Sequence, residues 1–180
     1  SLGVNDPDLD LIGSGGAIRD GALPQGFPAL VVTSAAKRAR VHDLTLSRST
    51  TDFEGLDVES DGAVIHDLVL SCSSSSQLAV SIGIDPFSFP RGNILRNITG
   101  NCAIGDLGTD SRLENINVAE SVITSEETSG AAFDSVTAGA LVLRSTSGVS
   151  VAHSRVGFVE VTAPAENLSI ISTTCGADGV

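Results

Sequence analysis

The chain has no tryptophan, no tyrosine and no methionine, and phenylalanine supplies its entire aromatic content with six residues. Large flat side chains usually fill the interior of a sandwich or an open α/β sheet. Here the core must be made of Val, Ile, Leu and Ala, and with 19 glycines that suits a thin, layered architecture. Positive charge is also scarce. Ten basic residues face 22 acidic ones, a net charge of −12, and Lys37 is the only lysine. Such a surface repels phosphate backbones and anionic membranes, which argues against a nucleic-acid partner. It disfavours acidic polysaccharides too, unless a cation bridges them. The plainer reading of the acidity is solubility. No apolar run approaches the ~20 residues needed to span a bilayer, so no membrane insertion is expected. No signal peptide opens the chain, and its first residues read as a mature form or an excised domain.

What is present is a repeat. Val41-His42-Asp43-Leu44-Thr45-Leu46 recurs almost residue for residue as Ile65-His66-Asp67-Leu68-Val69-Leu70. Leu95-Arg96-Asn97-Ile98-Thr99-Gly100 and Leu113-Glu114-Asn115-Ile116-Asn117-Val118 follow. Phe133 to Ala138 is a weaker copy, Val151 to Val156 a degenerate one, and Ala165-Glu166-Asn167-Leu168-Ser169-Ile170 is read as the last. The intervals are roughly 24, 30, 18, 20, 18 and 14 residues, around the periods of stacked solenoid repeats. The last is short for a full coil, which leaves the register after Val151 open. A second strand series falls between the copies: Leu30–Val32, Leu56–Val58, Leu78–Val80, Ala103-Ile104, Val122-Ile123, Leu141–Leu143 and Phe158-Val159. Alternation makes Leu44, Leu46, Leu68 and Leu70 core, with the residue between facing solvent. No segment keeps a helical period with caps.

The polar slot of the frame holds Asp43, Asp67, Asn97, Asn115, Ser135 and Asn167. It lies between two short strands that must turn sharply. Asx and Ser side chains satisfy backbone groups in such bends and tolerate left-handed conformations. Stacked coil on coil, they can hydrogen-bond along the axis, so they are read as structural.

This frame, with the opening segment Leu11 to Gly21, resembles the pectin-lyase-like superfamily of right-handed parallel β-helices. The resemblance covers nearly the whole chain. It implies an all-β, right-handed, single-stranded parallel β-helix solenoid of about seven coils, one domain over residues 1–180 or a fragment of a longer helix. It says little of activity, since the superfamily holds lyases, hydrolases, phage tailspikes and adhesins. The hydrolases' Gly-His-Gly and Arg-x-Lys are both missing here. Family lyases bind Ca²⁺ through carboxylates and use an Arg or Lys base. Arg38, Arg40 and Arg48 are the bases near the first coil.

Asp57 and Glu59, on one face of a strand, with Asp61 in the turn, form the candidate Ca²⁺ site, and Asp85 could approach from the next coil. The competing reading is a solvated acidic face. His42 and His66 share a slot in successive coils, about 4.8 Å apart, and are read as a surface pair, since a metal needs more ligands. Cys72 and Cys102 also share a slot, at a spacing a disulfide accepts. They are expected to be bridged in a secreted protein, with stacked buried thiols as the alternative and Cys175 left over. The sequons at Asn97 and Asn167 are read as accidental. The loop Gly83 to Gly92 stretches the longest coil, and Asp85, Phe87, Phe89 and Arg91 are its candidate ligand-binding residues; packing is the competing role for the two phenylalanines.

Two functions are weighed. The preferred one is a non-catalytic, secreted or cell-surface scaffold that needs no cofactor and binds a glycan or another protein subunit, an oligomer included. The alternative is a polysaccharide lyase or tailspike-like depolymerase acting on acidic polysaccharide with Ca²⁺. An ice-binding solenoid would show stacked Thr-x-Thr arrays, which the chain lacks.

Overall fold

The structure, a computed structural model, describes residues 2–14, 16–19, 28–48, 55–83, 89–162 and 164–176. Among these residues there are only strands, bends and turns. The strands are β1 (Leu2–Val4), β2 (Asp10–Ile12), β3 (Ala17–Arg19), β4 (Leu30–Val32), β5 (Arg40–Arg48) and β6 (Leu56–Val58). Then come β7 (Val64–Cys72), β8 (Leu78–Ile82), β9 (Ile94–Gly100), β10 (Ala103–Asp106) and β11 (Arg112–Glu126). The series ends with β12 (Ala132–Arg144), β13 (Ser150–Ala152), β14 (Arg155–Thr162), β15 (Ser169–Ile171) and β16 (Thr174–Cys175). Every pairing is parallel and joins one coil to the next, so the chain is a parallel β-solenoid.

The repeat frame is the register of one face. Leu11, Val41, Ile65, Leu95, Leu113, Phe133, Val151 and Ile170 stack in a single inward column. From Val41 to Val151 all of them are buried. Each fully buried aliphatic side chain contributes about 1.5–3 kcal/mol, and the columns join into one core running the length of the solenoid. The second strand series forms the opposing face. Leu30, Leu56, Val80, Ile104, Ile123 and Leu141 stack inward there, with Val32, Val58 and Ile82 two residues on. The face-to-face columns interlock without aromatic volume, as the composition requires.

The polar slot is a left-handed bend. Asp43, Asp67, Asn97, Asn115, Ser135, His153 and Ser172 have φ between +48° and +57°. A β-branched residue would be strained there, and Asx or Ser is favoured. The side chains also run up the axis: Asn115 Nδ2 donates to Asn97 Oδ1 (2.8 Å), and Asn97 Nδ2 donates to Asp67 Oδ1 (3.0 Å).

One expected register is corrected. Val151 pairs with Ile170 and Val156 with Cys175, so the last copy is Ile170–Cys175 with Ser172 in the bend, not Ala165–Ile170. Asn167 is also left-handed, at φ +54°, but it belongs to another corner, directly before β15, where earlier coils place Gly62, Gly92, Asp110, Gly130 and Gly148. Both corners need a positive φ and both accept Asn, so a single Asn fits either frame.

The disulfide forms as expected. Cys72 and Cys102 are bridged with a Cα separation of 5.5 Å. Gly100 makes room beside it: its φ is +149°, and a Cβ there would lie 2.0 Å from Leu70 O. Asn101 then clamps the preceding coil, its Oδ1 accepting from Cys72 N (2.8 Å) and its Nδ2 donating to Cys72 O (2.8 Å). Cys175 is free and exposed.

Candidate functional site on the two flanks

Outward positions of the repeat face carry a polar column of His42, His66, Arg96, Glu114 and Asp134, with Asp10 and Arg40 in the neighbouring column two residues earlier along the strands. The two histidines stack with ring centroids 4.5 Å apart and planes 7° from parallel. His42 Nδ1 meets Asp43 Oδ2 at 2.6 Å, and its Nε2 meets Asp10 Oδ1 at 2.9 Å. The Asp43 carboxylate, aided by Asp10, raises the His42 pKa against the opposing effect of partial burial. His66 Nδ1 meets Asp67 Oδ2 at 2.5 Å. Asp67 is held below the usual carboxylate range by His66 and by the Asn97 amide. Both rings are largely covered, each side chain keeping 15% of its surface exposed. Arg38 forks onto Asp8, with Nε to Oδ1 at 2.7 Å and Nη2 to Oδ2 at 2.8 Å, both side chains exposed. A pair so exposed is screened by water and adds little to stability.

The opposite flank is different in kind. Outward positions of the second strand series hold Ser81, Gly105 and Thr124 in one column. These small residues floor an open groove of about 400 Å³, walled by Ser76, Leu78, Leu107, Val122 and Glu126. Gly83 forms part of its edge, where the chain leaves for residues 84–88. Hydroxyls and short apolar groups share the lining, and its carboxylates are Asp106 and Glu126.

Beneath the groove, the interior breaks the apolar rule. Asp106 falls in the inward column between Ile82 and Ser125, and it is 1% exposed. Its Oδ1 accepts from Gly108 N at 2.9 Å, and its Oδ2 finds no hydrogen-bond partner among the described residues. Burial pushes its pKa up to about 6, against the opposing Gly108 N–H bond. Asn93 Nδ2 and Ser60 Oγ are likewise buried with no partner among the described residues. The neighbouring Ser125 and Thr128 hydroxyls satisfy each other at 2.8 Å.

The candidate residues from sequence fall as follows. Asp57 takes an outward position on β6 yet is 1% exposed, and its Oδ1 accepts from the Ser81 hydroxyl at 3.2 Å. Glu59 is half-buried just past the strand, and Asp61 is exposed in the turn with Oδ1 bound to Arg91 N at 2.9 Å. Among the described residues no group of three or more His, Cys, Asp or Glu side chains is arranged to hold a metal ion. Arg91 is exposed in the same corner, its carbonyl accepting from Gly62 N at 2.8 Å, and Phe89 is 39% exposed. Asp85 and Phe87 lie outside the described residues, as does the side chain of Arg48. The groove floor was missed from sequence. Its signal was the run of small outward residues between aliphatic pairs in the second series.

No family model, no curated protein and no solved structure matches this chain.

Proposed function

We propose that this chain is a non-catalytic, secreted or cell-surface β-solenoid of the pectin-lyase-like, right-handed type, and that it binds a glycan along the groove floored by Ser81, Gly105 and Thr124. The groove itself carries the reading. A sugar chain presents hydroxyl edges and C–H faces, which the hydroxyl and short apolar groups of the floor and walls match. A net charge of −12 favours a neutral glycan over a uronate polymer. The disulfide fits an oxidising compartment, and no described helix is long and apolar enough to cross a membrane.

The test is calorimetric titration with neutral and uronate oligosaccharides, each with Ca²⁺ and with chelator. Gly105→Val is the control, because a Cβ there meets only side chains, the nearest being Leu78 Cδ1 at 3.3 Å. Binding of a neutral oligosaccharide, lost in Gly105→Val, supports the reading. Ca²⁺-dependent release of unsaturated uronate products would replace it with the lyase. Absence of binding to either class would remove the glycan.

A further inference from the structure

Two tripeptides of the chain have the Asn-x-Ser/Thr form that N-glycosylation requires, Asn97-Ile98-Thr99 and Asn167-Leu168-Ser169. Both asparagines are left-handed at φ +54°, and in both tripeptides the middle residue turns inward: Ile98 is buried, and Leu168 packs against the core. They differ in what holds the asparagine. Asn97 is a rung of the axial ladder, its Nδ2 donating to Asp67 Oδ1 (3.0 Å) and its Oδ1 accepting from Asn115 Nδ2 (2.8 Å). A sugar on Asn97 would have to leave from between the Asp67 and Asn115 side chains, one coil away on either side. Asn167 stands outside that ladder, at the corner it shares with Gly92, Asp110, Gly130 and Gly148. It is exposed, and among the described residues no hydrogen bond engages its side-chain amide.

The exposure belongs to the corner and not to one coil. Gly92, Asp110, Gly130 and Gly148 are all exposed, although each donates its N–H to a carbonyl of the coil stacked on it. Ser169 continues an outward column through Arg112, Ala132 and Ser150, of which Arg112 and Ser150 are exposed. A bulky hydrophilic group is accommodated at such a position, where nothing packed is displaced.

We propose that Asn167 is the acceptor of an N-linked glycan and that Asn97 is not, an assignment that rests on the secreted reading above. The donor is a polyprenyl-pyrophosphate-linked oligosaccharide, which the secretory route supplies together with its transferase. The Asn167 amide nitrogen attacks the anomeric carbon and forms the Nδ2–C1 bond. The bond from that carbon to the pyrophosphate oxygen breaks, its electron pair leaves with the lipid pyrophosphate, and one amide proton passes to a base of the transferase. Ser169 supplies the hydroxyl by which the transferase recognises the acceptor.

Expression of the 180-residue chain behind a supplied leader in a eukaryotic secretory system provides the test. Secreted and retained pools are both digested with a glycan-releasing amidase in heavy-oxygen water, and each site is read by peptide mass spectrometry. A mobility shift that the amidase removes is expected, with label at Asn167 and only background at Asn97. Ser169→Ala abolishes the shift. Thr99→Ala removes the other tripeptide, leaves the ladder amide in place and does not change the shift. An unmodified chain would overturn the inference, as would label at Asn97 equal to that at Asn167 or a shift that survives Ser169→Ala. A chain glycosylated at Asn167 that binds no oligosaccharide in the titration above keeps this inference and loses the glycan-binding reading; an unmodified chain that binds does the reverse.

Discussion

Leu113 and Ile170 stand in the same inward column, with the same kind of side chain and the same strand geometry, yet Leu113 is 0% exposed and Ile170 is 44% exposed. The difference is that Leu113 has a rung on each side, whereas among the described residues Ile170 has one on only one side. In a stack where each coil touches only its neighbours, the value of a side chain is set by its place in the stack as much as by its identity. Asp106 teaches the complementary lesson. It occupies a middle rung, where an aliphatic residue would contribute most, and a buried carboxyl costs most.

The sharpest way to break this comparison is to empty the column in both places. Phe133→Ala is expected to cost about 3–5 kcal/mol, and Ile170→Ala less than ~1 kcal/mol because much of that side chain is already wet. Urea midpoints measure both, and equal losses would end the argument. Next comes the disulfide, which joins residues 30 apart in sequence. Replacing both Cys72 and Cys102 by Ser is expected to cost about 2–4 kcal/mol, whereas Cys175→Ser at the terminal rung changes nothing measurable.

Asp106 yields an effect of similar size and opposite sign. Its folded pKa of about 6 lies above the ordinary carboxylate value of 3.8, so the folded state binds the extra proton between those values. The contribution of Asp106 is therefore complete below about pH 4 and is lost as pH rises from there through about 6, by up to about 3 kcal/mol. Asp106→Asn keeps an acceptor for Gly108 N and is expected to recover most of that at pH 7. A denaturation series at pH 5 and pH 7 decides it: an unchanged pH slope in the variant would assign the slope elsewhere.

The bend ladder gives a smaller effect. Asn97→Ala loses two axial hydrogen bonds and keeps a strained left-handed residue, at about 1–2 kcal/mol. Asn97→Gly relieves the strain and separates the two contributions. The smallest effect belongs to His42. Its pKa is raised by the Asp43 and Asp10 carboxylates, so its stabilisation is complete below its unfolded pKa of about 6.5 and is lost as pH rises through the folded value. This runs in the same direction as Asp106, so it is best read in an Asp106→Asn background, by following the His42 ring protons in an NMR titration. A midpoint at or below the unfolded value would remove the ion pairs.

Much of this was legible in the sequence. Two consecutive copies, Val41–Leu46 and Ile65–Leu70, fix the strand-bend-strand frame, because alternation and an Asx bend together admit few other arrangements. The same frame puts Cys72 and Cys102 in one slot. The end of the chain was misread because Asn167 satisfies either of two left-handed corners, and only the ladder partner, Ile170 against Val151, separates them. Asp106 was passed over for a related reason: an Asp after Gly105 reads as a turn, and only pairing with Ile82 turns it inward. The groove escaped notice because it is made of small residues, whose importance lies in the space they leave.

The bridge between Cys72 and Cys102 has a consequence for how the molecule comes apart. A stack held rung to rung can be peeled like a zipper from a loose end, one turn at a time. The cross-link ties two neighbouring turns near the middle, so peeling from the C-terminal side stalls when it reaches Cys102. A protease acting on the coils after Cys102 would leave a ragged family of shortened chains with a common resistant stump, and reducing agent would let the stump unravel as well.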